Sequence, residues 1–379
     1  MDIYLLYNTE TEEKRTIYSN DAGSVAGMHP IKLKVILESQ GYYIAGTKII
    51  MLKVMESRLA EIISIVETVI PGSVSIAEFN DSIEYSPGIR NAYGKYKFTY
   101  SGTTIQIAVN PLLYPYHGLW SVVDVYVNGV FNKSISFSSK DYATVILPAG
   151  ANKEILLVEG VVLRYGNIIA GTYITDIIAD GTFVKIPEAQ VTDKLVVLGG
   201  SIVHGAMSET PSRTGVFGKF LDAGKNVAMY GYVYGVLYHF AGTAGNITKT
   251  VTDIQTLFAN TTGAKKLLIG LGKYDATLSQ LSAVTFKTWY GNLLDAIYAA
   301  DADIHIYCLS PPFLNQAYET SLLVDYRAGI LDLTTTRAYT TYINGLPILT
   351  FPDDYAGDVY PHAAGQTKLY NALSAVIYP

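Results

Sequence analysis

The stretch Leu195-Val196-Val197-Leu198-Gly199-Gly200-Ser201-Ile202-Val203-His204-Gly205 runs four apolar residues into two glycines, a serine and the start of a helical pattern. A run too apolar to alternate suits a strand covered on both faces, and paired glycines let the backbone bend sharply where a helix begins. Ser201 is thereby set at the carboxyl end of a central strand. In open α/β sheets that is where ligands and catalytic groups collect.

On the carboxyl side, strand and helix patterns alternate to the end of the chain. Leu195–Leu198, Val227–Tyr230, Leu267–Leu271, Ile304–Leu309 and Ile348–Phe351 read as strands; Val251–Ala259, Phe286–Ala299 and Ala363–Ile377 read as helices. The alternation predicts an α/β fold over 187–379, a parallel sheet with helices on both faces. Gly242-Thr243-Ala244-Gly245 reads as a loop, not a phosphate cradle, since it lacks the lysine and the preceding strand.

On the amino side, residues 73–186 turn to short runs rich in Val, Ile, Tyr and Phe: Lys95–Tyr100, Thr104–Val109, Val122–Val127, Ser134–Phe137, Thr144–Leu147, Glu154–Val158 and Val161–Tyr165. Strands at this spacing predict a β-sandwich of jelly-roll type, and Asn128-Gly129 is a type I′ hairpin signal. Residues 1–72 combine β-like runs (Ile3–Tyr7, Ile31–Leu37, Tyr42–Ile44) with a periodic segment over 51–70. There Leu52, Met55, Leu59, Ile62, Val66 and Val69 make an apolar heptad seam, and Pro71-Gly72 ends it. Two readings stand: an amphipathic helix lying on its own domain, or a short parallel coiled coil that makes the chain a homotrimer, which the β-branched seam residues permit. The first 50 residues look too thin to form a core of their own.

Composition excludes several classes. At 379 residues with 49% apolar content the chain can bury a large core in two or three domains. A formal charge of −6 with only 16% charged residues leaves no footprint for nucleic acid. The acidic start Met1-Asp2 lacks the basic region of a signal peptide, and no apolar run approaches 18 residues, so no secretion signal and no membrane span are expected. The one cysteine, Cys308, reads as a small core residue. Histidines 29, 117, 204, 239, 305 and 362 are scattered without ligand spacing, so neither metal nor other cofactor is expected, and His305 reads as a core group. Tyrosine outnumbers tryptophan 31 to 2, a bias that suits strands and contact surfaces.

Four landmarks fall in order at strand ends: Gly199-Gly200-Ser201-Ile202, the turn Tyr230-Gly231-Tyr232-Val233-Tyr234-Gly235, Gly272-Lys273-Tyr274-Asp275, and Val359-Tyr360-Pro361-His362 before the last helix. On these, residues 190–379 resemble the SGNH (GDSL-type) hydrolase superfamily, and the β domain ahead resembles the layout of its two-domain carbohydrate esterases. The resemblance implies a flavodoxin-like sheet and a site of serine nucleophile, histidine base, orienting aspartate and oxyanion donors. Acyl transfer needs each part, because serine is weakly nucleophilic until a base takes its proton and the tetrahedral oxyanion needs fixed donors.

Carried over position by position, the serine is Ser201 but the family's neighbouring aspartate is Gly200. The oxyanion glycine is either Gly235 or replaced by Tyr234; the donor asparagine is Tyr274, the base histidine Tyr360 and its aspartate Gly357. The alternative base is His362 with Asp358, displaced by two residues from the family's pattern; His204, one turn after Ser201, is a weaker candidate. Loss of one oxyanion donor costs about 10²- to 10³-fold, and a triad member more. The expectation is a hydrolase fold without hydrolase chemistry. Ser201, Tyr234, Tyr274, Tyr360 and His362 would line the old pocket, filling it or stacking on a sugar. The implied role is a structural or receptor-binding protein meeting a glycan, cell surface or other virion proteins, as a phage fibre component does, located in a virion or the cytoplasm. The rival is an active carbohydrate O-acetyl esterase with a rearranged Ser201/His362 site.

Overall fold

The computed structural model describes residues 3–8, 14–18, 42–45, 49–54, 84–85, 89–90, 94–110, 121–137, 142–150, 152–159, 162–165, 168–171, 173–179, 181, 183–186, 190–205, 211–231, 235–312, 319–356 and 360–379. The chain divides into two compact units, Met1–Ser73 and Val74–Pro379. In the first, β1 (Ile3–Asn8), β2 (Lys14–Tyr18), β3 (Tyr42–Ala45) and β4 (Ile49–Val54) make an antiparallel sheet of order β2-β1-β4-β3. This corrects the start of the predicted helix. Leu52 lies on β4, opposite Leu5 of β1 and Tyr42 of β3. The run Ile49-Ile50-Met51-Leu52 satisfies strand and helix patterns alike, and two neighbouring strands decide for the strand. Met55, Leu59, Ile62, Val66 and Val69 lie outside the described residues, as does the run 31–37.

The second unit begins with the short pair β5 (Glu84–Tyr85) and β6 (Ile89–Arg90). There follow β7 (Lys95–Tyr100), β8 (Thr104–Asn110), β9 (Ser121–Val127), β10 (Val130–Phe137), β11 (Ala143–Ile146), β12 (Lys153–Glu159), the hairpin β13 (Val162–Tyr165) and β14 (Ile168–Gly171), β15 (Tyr173–Ala179) and β16 (Phe183–Lys185). They form a five-stranded sheet, β10-β9-β12-β7-β16, and a three-stranded sheet, β11-β8-β15. Alternate residues from both, among them Tyr96, Phe98, Val125 and Ile155 from one and Ile105, Ile107, Val145 and Ile177 from the other, meet in one core. Asn128 and Gly129 take φ of 51° and 76° and join Val127 directly to Val130, the two positive angles that a type I′ turn demands.

The parallel layer follows in the same unit. Its strands are β17 (Val191–Gly199), β18 (Val227–Gly231), β19 (Thr261–Gly270), β20 (Ile304–Leu309) and β21 (Thr340–Ile343), in the order β18-β17-β19-β20-β21. Its helices are α1 (Ser201–His204), α2 (Pro211–Thr214), α3 (Val216–Asp222), α4 (Leu237–Ala241), α5 (Ala244–Phe258), α6 (Lys273–Thr277), α7 (Ala283–Ala300), α8 (Ser321–Thr335) and α9 (Ala363–Ile377). Helices α5, α7 and α8 pack in succession against β17, β20 and β21, while α3 packs with α9 and against β18. The chain reverses direction across the sheet between β17 and β19, which makes that crevice the switch point.

Two sequence expectations fail here. The apolar run 348–351 is not the fifth strand: Thr340–Ile343 takes the edge beside β20, and Leu349 is instead a buried loop residue in the core. Ala244 and Gly245, expected in a loop, open α5, with the Thr243 hydroxyl accepting from the Asn246 N–H as its cap. The expected boundary at 186/187 falls inside the second compact unit. Tyr126, Val158, Phe131 and Leu156 of the five-stranded sheet join the core of the parallel layer. The Tyr126 hydroxyl donates to Asp222 at 3.2 Å, and the Arg213 guanidinium stands 3.7 Å from the Phe131 ring centre.

Candidate functional site

At the carboxyl ends of β18, β17 and β19 the last residues are glycines in register, Gly199 opposite both Gly231 and Gly270. A Cβ on Gly270 would stand 2.6 Å from the Val203 side chain, and one on Gly199 would stand 2.7 Å from the Gly270 carbonyl oxygen. Without side chains there, α1 can settle on the strand ends with Val203 seated against them. Gly200 is equally confined, since a Cβ there would meet the Gly235 carbonyl oxygen at 2.9 Å. Ser201 therefore opens α1 directly above the switch point. Gln366 of α9 ties this helix in place by donating to the Ile202 carbonyl at 3.0 Å.

Beyond β19, Gly272 takes φ of 112° and Lys273 begins α6. Lys273 and Tyr274 are each only 5% exposed. The Tyr274 hydroxyl donates to the Tyr360 hydroxyl at 2.9 Å, and the Lys273 Nζ lies 4.5 Å from the Tyr274 ring centre and 4.2 Å from that of Tyr360. Tyr360 is partly exposed, on the short strand β23 (Tyr360–Pro361) that pairs with β22 (Tyr355–Ala356) and packs against α1. Burial holds the Lys273 amine well below the usual lysine range. Asp275 turns the other way and accepts from the N–H groups of Leu237 at 2.7 Å and Gly272 at 3.1 Å, fastening α4 to α6. Burial pushes its carboxyl up to about 7, against the pull of those donors.

His362 caps α9. Its Nδ1 accepts from the N–H groups of Ala364 and Gly365 at 3.1 and 3.2 Å, and its Nε2 lies 2.7 Å from the Asp353 carbonyl oxygen. Two backbone donors on Nδ1 require the proton on Nε2, which donates to that carbonyl. Both ring nitrogens are occupied. Asp354 beside it pairs with Lys368 at 2.8 Å and accepts from Thr350; burial works against its charge, but these partners hold its carboxyl below the usual range. His204 is fully buried, and burial pushes its imidazole down to about 3, so it stays neutral. His305 is half-buried with Nε2 2.8 Å from Thr341 Oγ1, and Cys308 is buried. No cluster of ligating side chains suited to a metal ion occurs among the described residues, and no described helix is long and apolar enough to cross a membrane.

No protein-family model matches the sequence. No curated protein matches it in sequence either. Solved structures do match. A family two carbohydrate esterase from Clostridium thermocellum, in complex with cellohexaose, superposes with a TM-score of 0.58 at 16% identity over 81% of this chain and 98% of its own. An acetyl xylan esterase from Butyrivibrio proteoclasticus gives 0.56 at 10% identity over 81% and 98%, and a GDSL-like lipase from Bacteroides ovatus 0.57 at 13% over 76% and 84%. The fold is that of the SGNH/GDSL-type hydrolases.

Within the SGNH frame, the structure brings Tyr274 and Tyr360 together and sets them beside the helix of Ser201. Tyr234, Gly357 and Asp358 lie outside the described residues, and nothing is described of the Ser201 side chain. His362 belongs to the cap of α9. Sequence reasoning passed over Lys273 and the carboxyl contacts of Asp275, both in the third block, and the Gln366 tie from the helix after the last block. A lysine at an otherwise apolar strand end was the available signal for the first. Arg327 was also missed: it is buried on α8, donates to the carbonyls of Pro311 and Pro312 at 2.7 and 3.0 Å, and pairs with Glu319, thereby shaping the loop after β20.

Proposed function

We propose that this chain is a carbohydrate-binding protein on an SGNH scaffold that has given up ester hydrolysis. The observation that carries the reading is the state of the last two blocks. The positions that correspond to the family's base and donor asparagine hold two tyrosines bonded to each other at 2.9 Å, and the neighbouring imidazole of His362 has both nitrogens engaged, Nδ1 in capping and Nε2 on the Asp353 carbonyl. A base whose lone pair receives two backbone hydrogen bonds cannot take a proton from serine without dismantling the start of α9. Tyr360, partly exposed with the buried Lys273 Nζ against its ring, offers an aromatic surface on which a sugar ring stacks. The neighbour bound to cellohexaose supports the carbohydrate class by analogy of fold. Calorimetric titration with cello- and xylo-oligosaccharides tests it: Tyr360→Ala should weaken binding about fivefold or more, as loss of an aromatic stacking contact of about 1–3 kcal/mol implies, and unchanged affinity overturns the tyrosine platform.

The second reading is the active carbohydrate O-acetyl esterase, favoured by the esterase descriptions of the fold neighbours and by Ser201 at the strand end. A virion or fibre role and a homotrimer built on the remaining seam positions Met55, Leu59, Ile62, Val66 and Val69 belong to the first reading as further proposals. Light scattering at micromolar concentration should give three protomers; a monomer refutes the trimer.

A further inference from the structure

Tyr238 and Trp289 make an aromatic surface that the site above does not use. Tyr238 is the second residue of α4 and Trp289 lies two turns into α7, both helices leaving the carboxyl end of the sheet. The ring centres are 5.9 Å apart and the planes are inclined at 51°. Tyr238 is 49% exposed, whereas Trp289 is half-buried and packs its inner part on the core of the parallel layer. The tyrosine is exposed but held. A Cβ on Gly242 would stand 2.2 Å from Cδ2 of its ring, so the ring rests on that glycine. Its carbonyl accepts from the Gly242 N–H at 2.9 Å and from Asn246 Nδ2 at 2.7 Å, and the residue before it, Leu237, is buried with its N–H on Asp275. A ring fixed in this way gives up little freedom when a ligand stacks on it. The polar ends of the pair are open. Neither the Tyr238 hydroxyl nor the Trp289 indole N–H makes a hydrogen bond among the described residues, and the indole nitrogen is not sealed from water. Lys287, the charged residue of the same turn of α7, is paired with Asp332 at 2.5 Å. The surface suits a neutral ligand with apolar C–H faces and hydroxyls at its rim, which is the chemistry of a sugar ring.

We propose that Tyr238 and Trp289 form a second glycan site, separate from the strand-end tyrosines, that takes consecutive rings of one soluble oligosaccharide chain. The choice of a sugar rests on the carbohydrate reading above; the position and geometry of the pair do not. Each aromatic ring stacks on the C–H face of one sugar ring, and the phenol hydroxyl and the indole N–H meet the hydroxyls at the sugar's rim. Planes inclined at 51° cannot both lie flat on one planar face. The pair therefore suits a chain whose successive rings twist, and not the surface of a crystalline polysaccharide.

Tryptophan emission of the full-length protein reads this site, because Trp120 and Trp289 are the two tryptophans of the chain. Titration with cellohexaose and with xylohexaose should change the emission of the wild type and of W120F, and W289F should lose that response. The comparison of wild type with W289F stands on its own if W120F does not fold. In calorimetry Tyr238→Ala should weaken binding about fivefold or more, the equivalent of about 1 kcal/mol, whereas Tyr238→Phe, which keeps the ring, should retain most of the affinity. Circular dichroism checks that both variants fold as the wild type does. Emission that neither sugar alters, or a Tyr238→Ala variant that binds as tightly as the wild type, overturns the proposal, and retention of the protein on microcrystalline cellulose overturns the single-chain geometry. Affinity lost in Tyr238→Ala but not in Tyr360→Ala would remove the strand-end site and keep this one, and the reverse would remove this one, so the two failures are distinguishable.

Discussion

Asp275 is the residue whose titration reaches furthest. Its carboxyl is pushed up to about 7 in the folded chain, whereas an unfolded aspartate titrates near 3.9. The folded state therefore holds the proton more tightly. The stability that Asp275 contributes is complete below pH about 4 and is lost as pH rises through about 7, with a slope of up to about 1.4 kcal/mol per pH unit between them. Urea midpoints measured from pH 4 to 8 should fall across that window in the wild type and flatten in Asp275→Asn, which keeps one acceptor for Leu237 but presents a donor to Gly272. An unchanged slope would remove Asp275 as its source. His362 makes a second residue-scale prediction. As the cap of a fifteen-residue helix it accepts from two N–H groups, so His362→Ala should cost about 0.5 to 2 kcal/mol and His362→Asn should recover most of it, read from the same denaturation curves. An alanine variant with an unchanged midpoint would show the cap contributes nothing.

Among elements, the junction of β17, β18 and β19 with α1 depends on three glycines and one valine. A Cβ on Gly270 would press on Val203 at 2.6 Å, so Gly270→Ala should destabilise by about 1 to 3 kcal/mol, and Val203→Ala in the same chain should recover part of that loss. Additive costs in this double-mutant cycle would contradict the close seating. Much of this junction was legible in the sequence, because a fully buried strand ending in paired glycines has few alternatives. The edge of the sheet was not. Thr340–Ile343 carries two threonines and a tyrosine, a weaker apolar signal than Ile348–Phe351, yet the first sits on β20 and the second packs as a loop. Helix α8 was legible but unread: Leu323, Tyr326, Ile330 and Leu333 are spaced three, four and three, and all four are buried. At β4 the pattern itself was ambiguous, and pairing with β1 and β3 resolved it in a way that no local spacing reveals. Of the site, the tyrosines at the donor and base positions were legible from the blocks; their mutual bond and the lysine between them were not, since they join Lys273 to a partner 87 positions away.

At the scale of the molecule, the two antiparallel sheets formed by β7 to β12, β15 and β16 and the parallel layer belong to one compact unit, joined where Tyr126 meets Asp222 and Arg213 covers Phe131. The contact falls on α2 and α3, the helices that follow α1. The fold of the SGNH/GDSL-type hydrolases is thus present from strand order to last helix, and the proposed loss of hydrolysis rests on the tyrosine pair and the capping imidazole of His362. Steady-state release of p-nitrophenol from p-nitrophenyl acetate, compared between the wild type and Ser201→Ala, tests this most directly. The account predicts equal slow rates for the two proteins, with no turnover above buffer beyond a single equivalent; sustained turnover that disappears in Ser201→Ala would contradict it.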